Sequence, residues 1–163
     1  MWPFSLETIH PLIVHFPIAL LLTAVGLDLV AMIGKWPTLH RVALWNLGLG
    51  AVGAGLAVWT GLEASEVAKH TFESYQVMEL HRKLGLSTLI LSGLLLAWRL
   101  IKRDRLTPRA RLWLLPLMLA MVGTVSYGAY LGGRLVYEFG VAGPFGTPEA
   151  QPAGSSQPQG HQP

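Results

Sequence analysis

The sequence contains no cysteine, and this absence excludes several kinds of functional site at once. A chain without thiols forms no disulfide, thiolate metal site or iron–sulfur cluster, and it attaches no c-type haem covalently. Any ligand to a metal or cofactor must therefore come from histidine, glutamate, aspartate or methionine.

Charged residues are also scarce, at 13% of the chain, whereas 52% of the residues are hydrophobic. Soluble domains average about 25% charged residues, so this composition is not that of an ordinary soluble domain. Four apolar segments are long enough to cross a bilayer: 12–33, 42–62, 84–101 and 112–133. They predict an all-α membrane protein with one four-transmembrane-helix bundle in residues 1–141. A Pro/Gly/Gln-rich tail, 142–163, is expected to be disordered.

The first apolar segment lacks the marks of a removable signal peptide. No lysine or arginine precedes it, and no small-residue cleavage site follows it at the usual distance. We expect it to be a permanent span.

The basic residues predict the orientation of the bundle. Eight of the 12 lysines and arginines lie in or beside the loops after the first and third segments, which are then cytoplasmic by the positive-inside rule. Both termini and the second loop are expected on the outer, periplasmic side of a bacterial inner membrane. Asp28 lies within the first segment, and we interpret it as an interfacial acid paired with Lys35 or Arg41. A proton-relay carboxylate is the alternative.

The first segment opens with an unusual stretch, from His10 to Leu20. Pro11 suits the first turn of a helix, where its missing N–H is not needed. Pro17 lies inside the apolar run, so it removes a helical hydrogen bond and predicts a kink near His15. A histidine at this depth in a membrane requires a partner. The predicted topology supplies candidates, because four histidines from three chain regions fall on the outer side: His10, His15, His70 and His81.

A weak internal repeat relates the two halves of the chain. Segments one and three each open with a histidine, His15 and His81, and segments two and four each begin with a Leu-Trp pair and end rich in glycine. The halves run in the same direction, so a pseudo-two-fold axis along the membrane normal would relate them. This axis would place His15 and His81 at similar depth on facing helices.

Three functional hypotheses follow from these histidines. The first is b-type haem held by His15 and His81 for electron transfer, with His10, Arg82 or Arg134 near a propionate. The second is a non-haem metal site, in which Glu66 and His70, four residues apart on one helical face, join His10, His15 or His81 in a ligand set suited to zinc, copper or iron. The third is a structural or transport protein without a cofactor, in which each histidine bonds to the backbone.

The expected partners follow from the same reasoning. They are the lipid bilayer, a membrane or periplasmic redox partner, and a second copy of the chain packed through the glycine-rich faces. No nucleic-acid partner is expected.

The sequence also resembles a known family. The opening His10-Pro-Leu-Ile-Val-His15-Phe-Pro-Ile-Ala, the later His81-Arg-Lys-Leu-Gly85 and the stretch from Gly132 to Gly140 resemble landmarks of the bacterial membrane-protein family called domain of unknown function 2231. The resemblance extends to about Val141 and implies a small four-helix inner-membrane protein. It implies no activity, although the general arrangement is similar to that of small four-helix b-type cytochromes.

Overall fold

The computed structural model describes residues 6–67, 71–102 and 108–141. Four helices account for nearly all of these residues: α1 (Leu6–Gly34), α2 (Pro37–Val67), α3 (Phe72–Ile101) and α4 (Pro108–Tyr137). Each is long and apolar enough to cross a membrane, and the described ranges contain no strand. The predicted all-α, four-transmembrane-helix fold is confirmed. The outward orientation of the termini stays a prediction, and the tail after residue 141 lies outside the described residues.

The helices extend beyond the predicted spans. The largest difference is in α3, which begins at Phe72 rather than near residue 84. Its first three turns carry charged residues. These residues interrupt the apolar run from which the span was predicted, but they do not interrupt the helix. Thr71 caps this start: its hydroxyl accepts from the Ser74 backbone N–H, and the Ser74 hydroxyl accepts from the Thr71 N–H. This reciprocal capping satisfies two backbone donors at the helix end.

The turn between α1 and α2 is short because α1 ends in a compact cap. Lys35 takes a left-handed backbone conformation (φ 55°), and the Trp36 N–H bonds to the Ala31 carbonyl at 3.1 Å. These are features of a Schellman motif. Gly34 leaves room for Trp36, whose ring lies 3.1 Å from where a Cβ on residue 34 would be. Pro37 then opens α2, where its fixed φ suits the first helical position.

The four helices form a ring in which sequence neighbours pack together. Helix α2 packs closely on α1, α4 packs on α3, and α2 and α3 join the two hairpins, whereas α1 and α4 make the loosest neighbouring pair. Helices α1 and α3 therefore lie diagonally across the bundle. Leu21, Met121 and Leu131 are among the fully buried side chains between the helices.

The internal repeat is visible in the buried positions, with a spacing of 71 residues. His10 and His81 are separated by this distance, and so are the two glycines that contact them, Gly61 and Gly132. The same spacing relates further pairs of buried residues: Leu21 and Ser92, Ala24 and Leu95, Asp28 and Arg99, Leu47 and Met118, Ala54 and Val125, and Thr60 and Leu131. In this register the equivalent of His81 is His10 rather than His15.

Candidate functional site

His10 lies near the start of α1 and is held by α2. Its Nδ1 is 3.0 Å from the hydroxyl of Thr60. That hydroxyl also lies 3.0 and 3.2 Å from the backbone carbonyls of Leu56 and Ala57. When its one proton is donated to either carbonyl, the hydroxyl accepts from His10, and the neutral His10 ring then carries its proton on Nδ1. The lone pair of the ring then lies on Nε2.

His81 lies in the first half of α3 and is held by α4. Its Nδ1 is 2.8 Å from the backbone carbonyl of Gly128. A carbonyl can only accept a hydrogen bond, so His81 also carries its proton on Nδ1 when it is neutral. A histidine that ligates a metal typically donates its other ring N–H to such an acceptor, which fixes the tautomer and the direction of the ring.

The two imidazole rings meet between the diagonal helices. Their centres are 6.4 Å apart, and their planes are nearly perpendicular, at 83°. Bonds from a metal to imidazole nitrogen are about 2.0–2.1 Å long, so two rings that ligate one ion from opposite sides have centres about 6 Å apart. The observed separation of the ring centres is close to that value. Perpendicular planes are compatible with such ligation, because each ring can turn about its own metal–nitrogen bond.

Two glycines make space for these rings. A Cβ at Gly61 would come within 2.8 Å of His10 Cε1, and a Cβ at Gly132 would come within 3.1 Å of His81 Cε1. Real Cβ atoms do not normally approach another atom as closely as the first of these distances. The glycine-rich ends of α2 and α4, which the sequence suggested as close helix-packing surfaces, are here the surfaces on which the imidazoles rest.

His15, the ligand predicted on α1, lies elsewhere. Its ring is exposed, and its Nδ1 bonds to the carbonyl of Pro11 in the same helix, at 2.6 Å. Five residues correspond to about 1.4 helical turns, so His10 and His15 occupy different faces of α1. The structure brings His10 to His81 and leaves His15 on the outside of the bundle.

The remaining predicted site residues are Arg134, Glu66 and His70. Arg134 is on α4, two residues after Gly132, and its guanidinium is bonded to the Glu138 carboxylate at 2.7 Å. Glu66 belongs to α2, but its side chain is not among the described ones, and His70 lies outside the described residues. Within the described part of the chain, no group of three or more histidine, aspartate or glutamate residues could hold a metal ion.

A second polar centre lies at the opposite end of the bundle. Asp28 and Arg99 are only 4% and 3% exposed, and Arg99 Nη1 donates to Asp28 Oδ2 at 2.5 Å. His40 donates from Nδ1 to the other carboxylate oxygen at 2.8 Å, and its backbone carbonyl accepts from Arg99 Nη2 at 2.9 Å. The predicted partner of Asp28, Lys35 or Arg41, is thus replaced by Arg99 and His40. In the sequence, His40 lies between the first two predicted segments and Arg99 lies near the end of the third.

One signal in the sequence could have identified this pair. Arg99 follows Asp28 by 71 residues, as His81 follows His10.

A small cavity of about 20 Å³ lies beside the Asp28–Arg99 pair, with Met118 and Met121 among its lining residues. It has room for about one water molecule.

The comparison with known families agrees with this architecture. The family model described as "Predicted membrane protein (DUF2231)" matches residues 6–143. The chain belongs to the DUF2231 family. The resemblance seen in the sequence is therefore confirmed, and the matched region of this DUF2231 protein includes all four helices and both histidines of the pair. No curated protein and no solved structure was found to match the chain.

Proposed function

We propose that this integral membrane protein binds b-type haem between His10 and His81 and carries electrons in the membrane. The observation that supports this proposal best is the geometry of the two rings. They come from diagonal helices, each bonds through Nδ1 to a neighbouring helix, and their centres are 6.4 Å apart. A four-helix bundle with inward-facing side chains on opposing helices is an established setting for such a cofactor.

Bound haem would supply one-electron chemistry, and the chain would supply binding and orientation. His10 and His81 would hold the iron through their imidazole nitrogens. Thr60 and the Gly128 carbonyl hold the rings in the tautomer that presents Nε2. Gly61 and Gly132 provide the space in which the rings sit. Arg134, two residues after Gly132 on α4, would offer a positive charge to a propionate, in competition with Glu138.

Optical spectroscopy of purified protein tests this proposal directly. We expect a Soret band and split α and β bands after reduction, when the protein is produced with ample haem. His10→Ala and His81→Ala should each abolish these bands, because one axial ligand is lost. His15→Ala is the matched control and should retain them, because the His15 ring is exposed and does not contact the pair.

Each other outcome has a definite meaning. A colourless wild-type protein would overturn the proposal. Loss of the bands in His15→Ala, with retention in His10→Ala, would restore His15 as the axial ligand. Elemental analysis of the same samples covers the second hypothesis: stoichiometric metal without porphyrin, lost in both His10→Ala and His81→Ala, would replace haem with a non-haem metal site. Far-ultraviolet circular dichroism identifies any variant that fails to fold.

A further inference from the structure

Thr60 makes the two histidines of the pair chemically different. It is only 5% exposed, and its hydroxyl lies between the His10 ring and the backbone of α2. When the hydroxyl donates its proton to a carbonyl of its own helix, it accepts the Nδ1 proton of His10. His10 is therefore anchored through a side chain.

His81 is anchored in another way. The position equivalent to Thr60 in the second half of the chain is Leu131, which is buried and has no hydrogen-bonding group. His81 instead donates directly to the backbone carbonyl of Gly128. A substitution cannot delete a carbonyl, so only the His10 anchor depends on the type of one side chain.

We infer that Thr60 is the positioning residue that fixes the Nδ1–H tautomer of His10 and so determines its strength as an Nε2 ligand. This inference rests on the proposed function for its effect on haem, but the tautomer can be measured without haem. Loss of the hydroxyl removes the acceptor of the Nδ1 proton, and the ring can then turn or move its proton to Nε2, where it blocks ligation. A hydrogen bond from Nδ1–H also makes the imidazole more basic, which favours the oxidised metal.

The test compares three threonine variants. Thr60→Val has nearly the shape of threonine without the hydroxyl, and we expect about a 10- to 100-fold loss of haem affinity, the usual effect of removing such an outer partner, with a more positive midpoint potential. Thr60→Ser keeps the hydroxyl and should restore both values. Thr88→Val is the matched control: Thr88 is 6% exposed, and its hydroxyl bonds to Thr124 at 3.0 Å, away from both histidines. It should leave affinity and potential unchanged.

Nitrogen-15 NMR of the histidine rings, recorded without haem, separates this inference from the proposed function. In the wild-type protein and in Thr60→Ser, His10 should show a protonated Nδ1 and an unprotonated Nε2. We expect this pattern to be lost in Thr60→Val. If the valine variant does not fold, Thr60→Ala takes its place in the test. An unchanged tautomer in the folded variant would overturn the inference, and so would equal shifts of potential in Thr60→Val and Thr88→Val. A wild-type protein that binds no haem but shows the expected tautomer would overturn only the proposed function.

Discussion

The two ends of the bundle use equivalent positions for opposite purposes. At one end, which we call the histidine end, His10 and His81 face each other between α1 and α3, yet each gives its Nδ1 proton to a neighbouring helix. At the other end, Asp28 and Arg99 occupy the equivalent positions 18 residues further along, and they bond directly to each other.

The two ends therefore differ in whether the facing side chains bond to each other. Opposite charges satisfy each other across the bundle, and His40 adds a further bond to the same carboxylate. This centre ties the two halves of the chain together. At the histidine end, each imidazole instead bonds through Nδ1 to a neighbouring helix, and Nε2 is the atom that could bind a ligand. The histidine end is therefore suited to a ligand, and the Asp28–Arg99 end to holding the helices in register.

Breaking the charged pair should have the largest effect on stability. Arg99→Met leaves the buried Asp28 carboxylate without its cation, and we expect a loss of about 3–5 kcal/mol in the free energy of unfolding. Asp28→Leu combined with Arg99→Met removes both charges and should recover most of this loss. Chemical unfolding in detergent micelles, followed by circular dichroism, measures both. A single variant as stable as the wild type would contradict a structural role for this end.

His40 provides a smaller perturbation of the same centre. His40→Leu removes the donor to one oxygen of Asp28 while Arg99 keeps the other, so the expected loss is about 1–3 kcal/mol. The matched control is His15→Leu, which changes an exposed histidine and should stay within about 0.5 kcal/mol of the wild type. Equal effects in the same unfolding assay would show that the carboxylate does not need His40.

At the histidine end, the space occupied by the imidazoles can be tested with alanine. Gly61→Ala places a methyl group against the His10 ring and should cost about 1–3 kcal/mol through overpacking. It should also displace the ring and weaken the haem bands. Gly93→Ala is the control, because nothing lies within 4 Å of its Cβ position. It should be neutral or stabilising by up to about 1 kcal/mol through helix propensity. Similar losses in both variants would indicate a general intolerance of alanine.

The smallest expected effect concerns the exposed ion pair at the end of α4. The hydrogen bond from Arg134 lowers the pKa of Glu138 below its ordinary value. The pair therefore stabilises the folded state above the unfolded pKa of this carboxyl, and the contribution is lost as the pH falls through the lower folded value. An NMR titration of the Glu138 carboxyl should show its pKa rising in Arg134→Gln. An unchanged midpoint would show that the pair is not formed in solution.

The fold was predictable because membrane spans depend on the simplest pattern in a sequence, the length of apolar runs. The bounds were not, because an apolar window ends at the first charged residues, whereas α3 continues through Glu79, Arg82 and Lys83. At the N-terminal side of α3, the Thr71 cap is the better indicator of where the helix begins.

The site was predictable in part. His81 was identified as a member of the pair, but His15 was preferred to His10 because it lies deeper in the apolar run. The face that each histidine occupies depends on how α1 packs against Thr60 and Gly61, which no local pattern encodes. The sequence analysis also does not identify Arg99 as the partner of Asp28. Its repeat is aligned on the Leu-Trp pairs, and this alignment does not match the 71-residue spacing that relates Asp28 to Arg99.

The 71-residue spacing also limits how this protein could be assembled from separate pieces. Two identical half-chains, paired about an exact two-fold axis, would place the same residue at both positions of every pair. Such a homodimer could form the histidine pair, since both members are histidine. It could not form the Asp28–Arg99 pair, because two aspartates or two arginines would then oppose each other. The charged pair therefore identifies the two halves as complementary partners, so neither half alone can replace the other.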